Sequence, residues 1–315
     1  MCGLFSKKEK VEPKYLIALI GMTGAGKSTF ISKASGRKDI QISNSSSSCT
    51  KDIQAVSFKY KGSQVTLIDT PGFDDTNRSD AEILQTIALF LSGSAEAGLP
   101  LTGVIFLQSV LTIRMQGSEK TRIRLIEKIL GEDAFPNLVL ATTQWSHLKN
   151  PKEGDALVEE RSSQDDFWGY MIKHGARLAK HDNTKSSALK IVGSIIDNHK
   201  EPVPLQMQKE LAMNDFKVIL TSAGKIADAA LGESATEFEK RLQQLKRTTS
   251  GHAVNAVDQD EVDDIQENLK ETAAAKEKLR NARVTPEQVH DWAKTFAQVV
   301  EIGLTAAKVI ACAVC

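Results

Sequence analysis

Residues 21–28, with the sequence GMTGAGKS, have the types and spacing that could bind the phosphates of a nucleotide. Glycines let the backbone approach a phosphate closely, and successive N–H groups then point at its oxygens. Lys27 would reach the β- and γ-phosphates, and the hydroxyl of Ser28 would bind Mg²⁺. The apolar run YLIALI before this segment and STFISKAS after it supply the strand and the helix that the pattern requires. We therefore predict a phosphate-binding loop formed by Gly21, Met22, Thr23, Gly24, Ala25, Gly26, Lys27, Ser28 and Thr29.

A second motif, LIDTPG at residues 67–72, ends another apolar run. Asp69, at the exit of a buried strand, could hold Mg²⁺ through a water molecule, and the backbone N–H of Gly72 could contact the γ-phosphate. An acidic residue at the end of a strand can also cap a helix or belong to a surface turn. Because the motif follows a phosphate-binding loop, it predicts a GTPase with switch segments rather than a nucleotide kinase.

Four segments together resemble one branch of the GTPases: the phosphate-binding loop, SSCTKDI, LIDTPGFDDT and RSDAEIL. They are similar to septin and immunity-associated GTPases, and most of all to a large fungal group of G-domain-containing proteins. The resemblance covers residues 15–200 and implies GTP and GDP as ligands, with Mg²⁺ as cofactor. It matches Thr50 to the switch threonine that closes over Mg²⁺ and the γ-phosphate, although a threonine in this serine-rich loop could simply be solvated. The expected metal-binding residues are Ser28, Thr50 and Asp69.

The segment after the fifth predicted strand, LVLATTQWSHL, departs from the [NT]-K-x-D pattern with which most GTPases bind guanine. An ungapped fit places four residues there, Thr143, Gln144, Trp145 and Ser146. Ser146 is uncharged, so the bidentate, charge-assisted contact of an aspartate is missing. Trp145 could stack on the base or anchor the loop. Further along, Ser187 and Ala188 resemble the S-A-[KL] element whose backbone touches guanine, and guanine remains the expected base.

Phe73 occupies the position where Ras-like GTPases carry the glutamine that orients the attacking water. Its side chain cannot do this, so intrinsic hydrolysis should be slow. Arg114 is the candidate that assists, because a guanidinium suits charge spread over phosphoryl oxygens. In the immunity-associated relatives, an arginine in this region can act across a dimer. Alternatively, Arg114 is a surface residue that caps a helix or pairs with Glu119. The predicted catalytic residues are Lys27, Thr50, Gly72 and Arg114.

Predicted strands alternate with predicted helices along the first 200 residues. The strands are 15–20, 53–60, 64–69, 102–108 and 137–142, and the helices are 27–35, 79–92, 118–130, 155–175 and 186–198. This alternation predicts an α/β fold, namely a doubly wound, mostly parallel sheet of the P-loop GTPase type with an antiparallel hairpin at residues 53–69. Ligands of such sheets bind at the carboxyl ends of the strands, where both motifs lie.

Two prolines in EPVP, at residues 201–204, interrupt any helix there and suggest a boundary. We therefore divide the chain into a flexible segment, 1–14, a G domain, 15–200, and an all-helical carboxy-terminal region, 201–315. Within that region, apolar residues at 3–4 spacing favour a coiled-coil pairing, which Thr272 and Lys276 interrupt. The region could fold back on the G domain as a bundle or form an arm for self-association or a partner.

The amino-acid composition bears on which partners and which cellular location are expected for this protein. The 315 residues are 41% hydrophobic and carry no net charge, and no basic stripe supports nucleic acid as a principal partner. The four cysteines do not form a disulfide framework, and no secretory signal is visible, so a cytoplasmic location is expected. Glu301 and Lys308 argue against a membrane-spanning last helix. Cys2 near three lysines and the final CAVC would allow lipidation and peripheral membrane contact at the termini, unless the apolar end simply packs as a helix.

The sequence thus predicts a cytoplasmic GTPase that binds GTP and Mg²⁺ and hydrolyses GTP slowly, assisted by a homodimer formed through the nucleotide face. One alternative is a structural, nucleotide-bound assembly module in which turnover is incidental. The other is an ATPase, suggested by Ser146.

Overall fold

A six-stranded sheet forms the amino-terminal part of the protein in the computed structural model, which describes residues 14–37, 53–73, 78–111, 117–198, 201–202, 204–249 and 256–312. The strands are β1 (Lys14–Gly21), β2 (Gln54–Tyr60), β3 (Ser63–Asp69), β4 (Gly103–Ser109), β5 (Leu138–Thr143) and β6 (Arg177–Lys180). Their order is β2-β3-β1-β4-β5-β6, with β2 antiparallel to β3 and the other pairs parallel. The predicted fold class is confirmed.

Helices follow the strands and then make up most of the described residues after residue 201. They are α1 (Lys27–Ser35), α2 (Asp80–Glu96), α3 (Gly117–Leu130), α4 (Pro151–Ser163), α5 (Gly169–Lys173), α6 (Lys185–Asp197), α7 (Gln206–Met213), α8 (Ser222–Thr249), α9 (Ala256–Asn281) and α10 (Pro286–Cys312). Short 3-10 helices lie at Glu132–Asn137, Trp145–His147 and Val218–Leu220. None of the described helices combines the length and the apolar character that crossing a bilayer requires.

Each face of the sheet has its own hydrophobic core, because side chains alternate along a strand. Ile17 and Leu19 of β1 face a core shared with α1 and α6, which contribute Phe30 and Ile191. The intervening Ala18 belongs to a second core shared with α2, α3 and the carboxy-terminal helices. Both cores place the carboxyl end of β1, where the phosphate loop begins, in a rigid setting.

The carboxy-terminal helices pack on the face of the G domain that α2 and α3 form. Trp292 and Phe296 of α10 are buried in the same core as Phe90 of α2. Beyond this contact, α8 and α9 run antiparallel to one another. Their direction is shown by the ion pairs that join Asp228 to Lys276 and Arg241 to Glu261. The region therefore combines a part folded back on the G domain with a helical hairpin.

Two elements differ from the sequence prediction. The strand β6 was not predicted, because it has only four residues and its side chains alternate between partly buried and exposed. The predicted helix 155–175 is two helices, α4 and α5, separated by a turn. Gly169 begins α5, and a Cβ there would be only 2.8 Å from the carbonyl oxygen of Gln164 at the end of α4.

Candidate functional site

The predicted phosphate-binding loop connects β1 directly to α1. Gly21 ends the strand where a Cβ would lie 2.4 Å from the carbonyl oxygen of Leu107 in β4, so a side chain cannot fit. Gly26 precedes the first turn of α1 with a φ of 92°, in the left-handed region that glycine favours. These two glycines fix the loop so that its backbone turns around the amino terminus of α1.

Lys27 is almost fully buried within this loop. Its Nζ donates hydrogen bonds to the carbonyl oxygens of Gly21, at 3.2 Å, and Met22, at 3.1 Å. The ammonium group is thereby held on the concave side of the loop, where successive backbone N–H groups favour an anion. The other loop residues assigned to the nucleotide surround it, with Thr23, Gly24, Ser28 and Thr29 exposed and Ala25 buried.

Ser28 and Asp69 meet at the start of α1. The hydroxyl of Ser28 donates to Oδ2 of Asp69 at 2.8 Å. Asp69 is only 8% exposed, and its Oδ1 has no hydrogen-bond partner among the described residues. Burial raises the pKa of Asp69, while the hydrogen bond from Ser28 and the charge of Lys27 act in the opposite direction. A buried carboxylate oxygen without a partner, beside a hydroxyl, fits the oxygen ligands that Mg²⁺ prefers.

The segment after β3 lies directly against the phosphate loop. The N–H of Thr23 donates to the carbonyl oxygen of Phe73 at 2.9 Å, and the N–H of Phe73 donates to Gly21 at 3.3 Å. A Cβ on Gly72 would be 2.6 Å from Oγ1 of Thr23 and 2.9 Å from Nζ of Lys27, so only glycine allows this approach. The ring of Phe73 is fully buried in the core that contains α2. It offers no polar group at the position where a glutamine would orient water.

The loop after β5 also holds the phosphate loop. Oγ1 of Thr143 donates to the carbonyl oxygen of Ala25 at 2.8 Å, and Nε2 of Gln144 donates to that of Gly24 at 2.7 Å. Oε1 of Gln144 accepts from the hydroxyl of Ser109, at the end of β4, at 2.5 Å. Sequence reasoning gave Gln144 no role, although a side-chain amide at the lysine position of the pattern can donate to a backbone carbonyl.

Trp145 is well anchored in this loop. Its Nε1 donates to Oγ1 of Thr142 at 3.0 Å, and Nζ of Lys180 lies 3.5 Å from the ring centroid. A Cβ on Gly154 in α4 would be 2.7 Å from the ring, which shows how closely the helix approaches. These contacts favour anchoring over base stacking, which stays a prediction. Ser146 is exposed beside it.

Ser187 and Ala188 lie in the first turn of α6. The N–H of Ser187 donates to Oγ1 of Thr184, and that of Ala188 to the carbonyl oxygen of Thr184, both at 3.1 Å. Because the helix cap uses both groups, these contacts do not support their predicted role at guanine.

The preceding loop contains Asp182, which sequence reasoning missed because β6 had not been predicted. This exposed carboxylate lies just past the carboxyl end of β6 and accepts from the N–H and the hydroxyl of Thr184. Hydrogen bonds from Ser187 and Thr184 lower the pKa of Asp182 to about 2. Asp182 is therefore ionised at neutral pH. It follows β6, which pairs with β5, and the loop after β5 is the one that contacts the phosphate loop.

Thr50 and Arg114 lie outside the described residues, so their predicted roles stay predictions. The alternative partner proposed for Arg114, Glu119, is buried and has other partners. Its Oε1 accepts from Nη2 of Arg161 at 2.9 Å and from Nε2 of Gln108 at 2.6 Å. This buried ion pair ties the first turn of α3 to α4 and to the end of β4.

Comparisons with known proteins identify several to which this chain is similar. Residues 16–107 match the family described as 50S ribosome-binding GTPase. GTP-binding protein A of Dictyostelium discoideum is 30% identical over 46% of this chain and 31% of its own length, and GTPase Der of Prosthecochloris aestuarii is 26% identical over 51% and 34%. Toc33 of Arabidopsis thaliana in complex with Mg²⁺ and GMPPNP superimposes with a TM-score of 0.47 at 16% identity, over 61% of this chain and 86% of that chain.

The chain spans about a third of the length of these two curated relatives. The match falls on β1 to β4, which include both phosphate motifs. Together with the strand order, it shows that the amino-terminal part of this protein has the G-domain fold of the P-loop GTPases.

Proposed function

We propose that this protein binds GTP with Mg²⁺ in the loop between β1 and α1 and hydrolyses it slowly. The observation that carries the proposal is the contact between Ser28 and Asp69, whose buried Oδ1 has no hydrogen-bond partner in the described part of the chain. When bound there, Mg²⁺ would supply positive charge between the β- and γ-phosphates. Lys27 would exchange its bonds to the loop carbonyls for bonds to phosphate oxygens, and Gly72 would leave room for its own N–H to approach the γ-phosphate.

Slow hydrolysis follows from the burial of Phe73, because no side chain at this position can orient the attacking water. We therefore propose that a second copy of the chain assists through the nucleotide face and that Arg114 supplies positive charge. The similarity to septin and immunity-associated GTPases, carried by the sequence segments described above, supports this assignment. A cytoplasmic location with peripheral membrane contact at lipidated termini is the setting we propose.

Guanine is the proposed base, although the aspartate that usually binds it is absent. Ser146 is exposed at that position and can accept one hydrogen bond. Asp182 is a second candidate acceptor, because its ionised carboxylate lies in the loop after β6, beside the loop after β5. Competition of GTP and ATP for the wild type, Ser146→Ala and Asp182→Asn identifies the acceptor, since asparagine keeps an oxygen that can accept from Thr184. An ATP preference in the wild type would favour the ATPase.

The alternative function is a nucleotide-bound assembly module, which the buried Phe73 also favours. Single-turnover hydrolysis measured across a range of protein concentrations separates the two. A rate that rises with concentration, and falls in Arg114→Ala without loss of GTP affinity, supports catalysis assisted by a dimer. A negligible rate at every concentration, together with nucleotide-dependent assembly, supports the module.

A further inference from the structure

Helix α2 connects the candidate site with the carboxy-terminal helices. It follows Gly72 and Phe73 in the chain, and the ring of Phe73 is buried in the same core as Ile83 and Leu84 of α2. At the other side of α2, the same core includes residues of α9 and α10. A shift of the Gly72 segment would therefore be transmitted to α2, and through it to the helices that rest on it.

The contact between α2 and α10 is tight. A Cβ on Gly93 would be 2.2 Å from Cε3 of Trp292, so the helix backbone and the indole touch directly. Phe90 meets Trp292 edge-on at 5.5 Å, and Trp292 stacks on Phe296 at 4.4 Å. Such close packing means that α10 moves with α2 as one unit.

The contact between the first turn of α2 and the α8–α9 hairpin is loose by comparison. A cleft of about 510 Å³ is bordered by Ala81 and Gln85 of α2 and by the chain from Ala274 to Ala282. Another, of about 620 Å³, lies between Asp80, α3 and residues of α8. Nζ of Lys278 reaches Oε1 of Glu82 at 3.1 Å, and Nε2 of Gln85 reaches the carbonyl oxygen of Arg283 at 3.3 Å. These are exposed polar contacts, which open at low cost in free energy.

Glu82 takes part both in the cap of α2 and in the contact with α9. Its Oε2 accepts from the N–H of Ser79 at 2.9 Å, which completes the capping box of α2, while its Oε1 accepts from Lys278. The third residue of α2, which completes the cap of the helix, is thus linked to α9 through a single carboxylate. A change in the cap alters the position from which Glu82 meets Lys278.

The base of the hairpin is firmly held. The N–H of Val218 donates to the carbonyl oxygen of Ala282 at 3.0 Å, and the N–H of Val284 donates to that of Phe216 at 3.1 Å. Leu279 and Val218 are fully buried there. From this base, α8 extends for 28 residues, or roughly 40 Å. Ala282 of this base also borders the cleft beside α2, so a movement of α2 would act close to the base, and the long extension of α8 would amplify it.

We propose that the α8–α9 hairpin is a nucleotide-dependent lever, which pivots at its base when the first turn of α2 shifts between the diphosphate and triphosphate states. The inference rests on the proposed function, because it needs a nucleotide at the phosphate loop. By linkage, a contact that is stronger in one nucleotide state also changes the relative affinity for the two nucleotides by the same factor.

The first test is hydrogen exchange of the full chain with Mg²⁺–GDP and with Mg²⁺ and a non-hydrolysable GTP analogue. We expect amides of α9 near residues 274–281 to differ in exchange rate by about fivefold or more between the two nucleotides. Amides of α6, on the opposite face of the sheet, serve as the internal control and should not differ.

The second test uses Lys278→Glu, which places two carboxylates opposite one another, and measures the ratio of the dissociation constants for GDP and the analogue. We expect this ratio to change by about two- to fivefold, the scale of an exposed ion pair. Lys270→Glu makes the same charge change on α9, where the lysine lies 3.9 Å from Glu267 of its own helix, and should leave the ratio unchanged.

Equal exchange in α9 with both nucleotides, or an unchanged ratio in Lys278→Glu, would overturn the lever while leaving nucleotide binding intact. A wild-type protein that binds neither nucleotide would instead refute the proposed function, and the lever with it. Equal changes of the ratio in Lys278→Glu and Lys270→Glu would show a general effect of charge and also count against the lever.

Discussion

Gln144, in the loop after β5, donates a hydrogen bond to the phosphate loop, and its substitution gives the sharpest test of the site. Gln144→Glu keeps the shape of the side chain but replaces the Nε2 donor with an oxygen. That oxygen would lie 2.7 Å from the carbonyl oxygen of Gly24, where the amide now donates. The backbone carbonyl would lose its partner, and the new charge would face the phosphates of the ligand.

The expected loss can be worked out from these contacts. A lost hydrogen bond costs about 1 kcal/mol, and two acceptors left facing one another cost about 1–2 kcal/mol more. The sum of about 2–3 kcal/mol corresponds to a dissociation constant for GDP that is roughly 30- to 150-fold higher. Gln144→Leu removes the hydrogen bond to Gly24 without the repulsion, and the loss of this one bond to the phosphate loop should weaken binding by only about fivefold. Gln144→Lys restores a donor to Gly24 and should bind at least as tightly as the wild type.

Equilibrium titration with fluorescent GDP measures the series, since GDP avoids turnover during the measurement. Gln243→Glu, which makes the same change at an exposed position of α8, is the matched control. Thermal unfolding of each variant separates a local effect from loss of the fold. If Gln144→Glu binds within about twofold of the wild type, well below the cost of a lost hydrogen bond, then the contact to Gly24 does not support the phosphate loop.

Three further predictions concern other parts of the protein. Lys27→Ala should weaken triphosphate binding at least about tenfold in the same titration, and wild-type affinity would refute the phosphate site. Ser146→Asp should widen the preference for GTP over ATP in competition titrations; an unchanged preference would contradict the alignment of this loop. Burial raises the pKa of Glu127 to about 7, from an ordinary value of 4.5, so its ionisation destabilises the fold as pH rises through that interval. Glu127→Gln should therefore be more stable than the wild type at pH 8, by about 1 kcal/mol after allowance for solvent screening, and equally stable at pH 4, which urea unfolding measures.

The sequence alone was enough to predict the strands and loops whose structure depends on residues that are neighbours in the chain. A glycine-rich loop between an apolar strand and a helix depends on neighbouring residues only, and Gly21 to Ser28 lie where the pattern places them. The hairpin of β2 and β3 was equally predictable, because the two apolar runs flank the short turn at Lys61 and Gly62.

Contacts between segments that are far apart in the chain could not be predicted from local sequence patterns. Gln144 meets Gly24 across 120 residues of sequence, and nothing in the local pattern distinguishes its amide from that of a surface glutamine. Likewise, Arg161 and Glu119 are individually ordinary helix residues, and only the fold buries them together. The strand β6 was not predicted from the sequence, because its formation depends on pairing with β5 rather than on its own four side chains.

The two faces of the sheet explain why the carboxy-terminal helices matter for the site. The α1 and α6 face closes its core with residues of the G domain. The α2 and α3 face does not, because Phe90 and Gly93 of α2 are covered by Trp292 of α10. Helix α2 therefore cannot change position without either moving α10 or exposing its own aromatic surface. Since Phe73, beside the phosphate loop, is buried in the same core as α2 and α10, the stability of the helical region and the state of the phosphate site depend on one shared core.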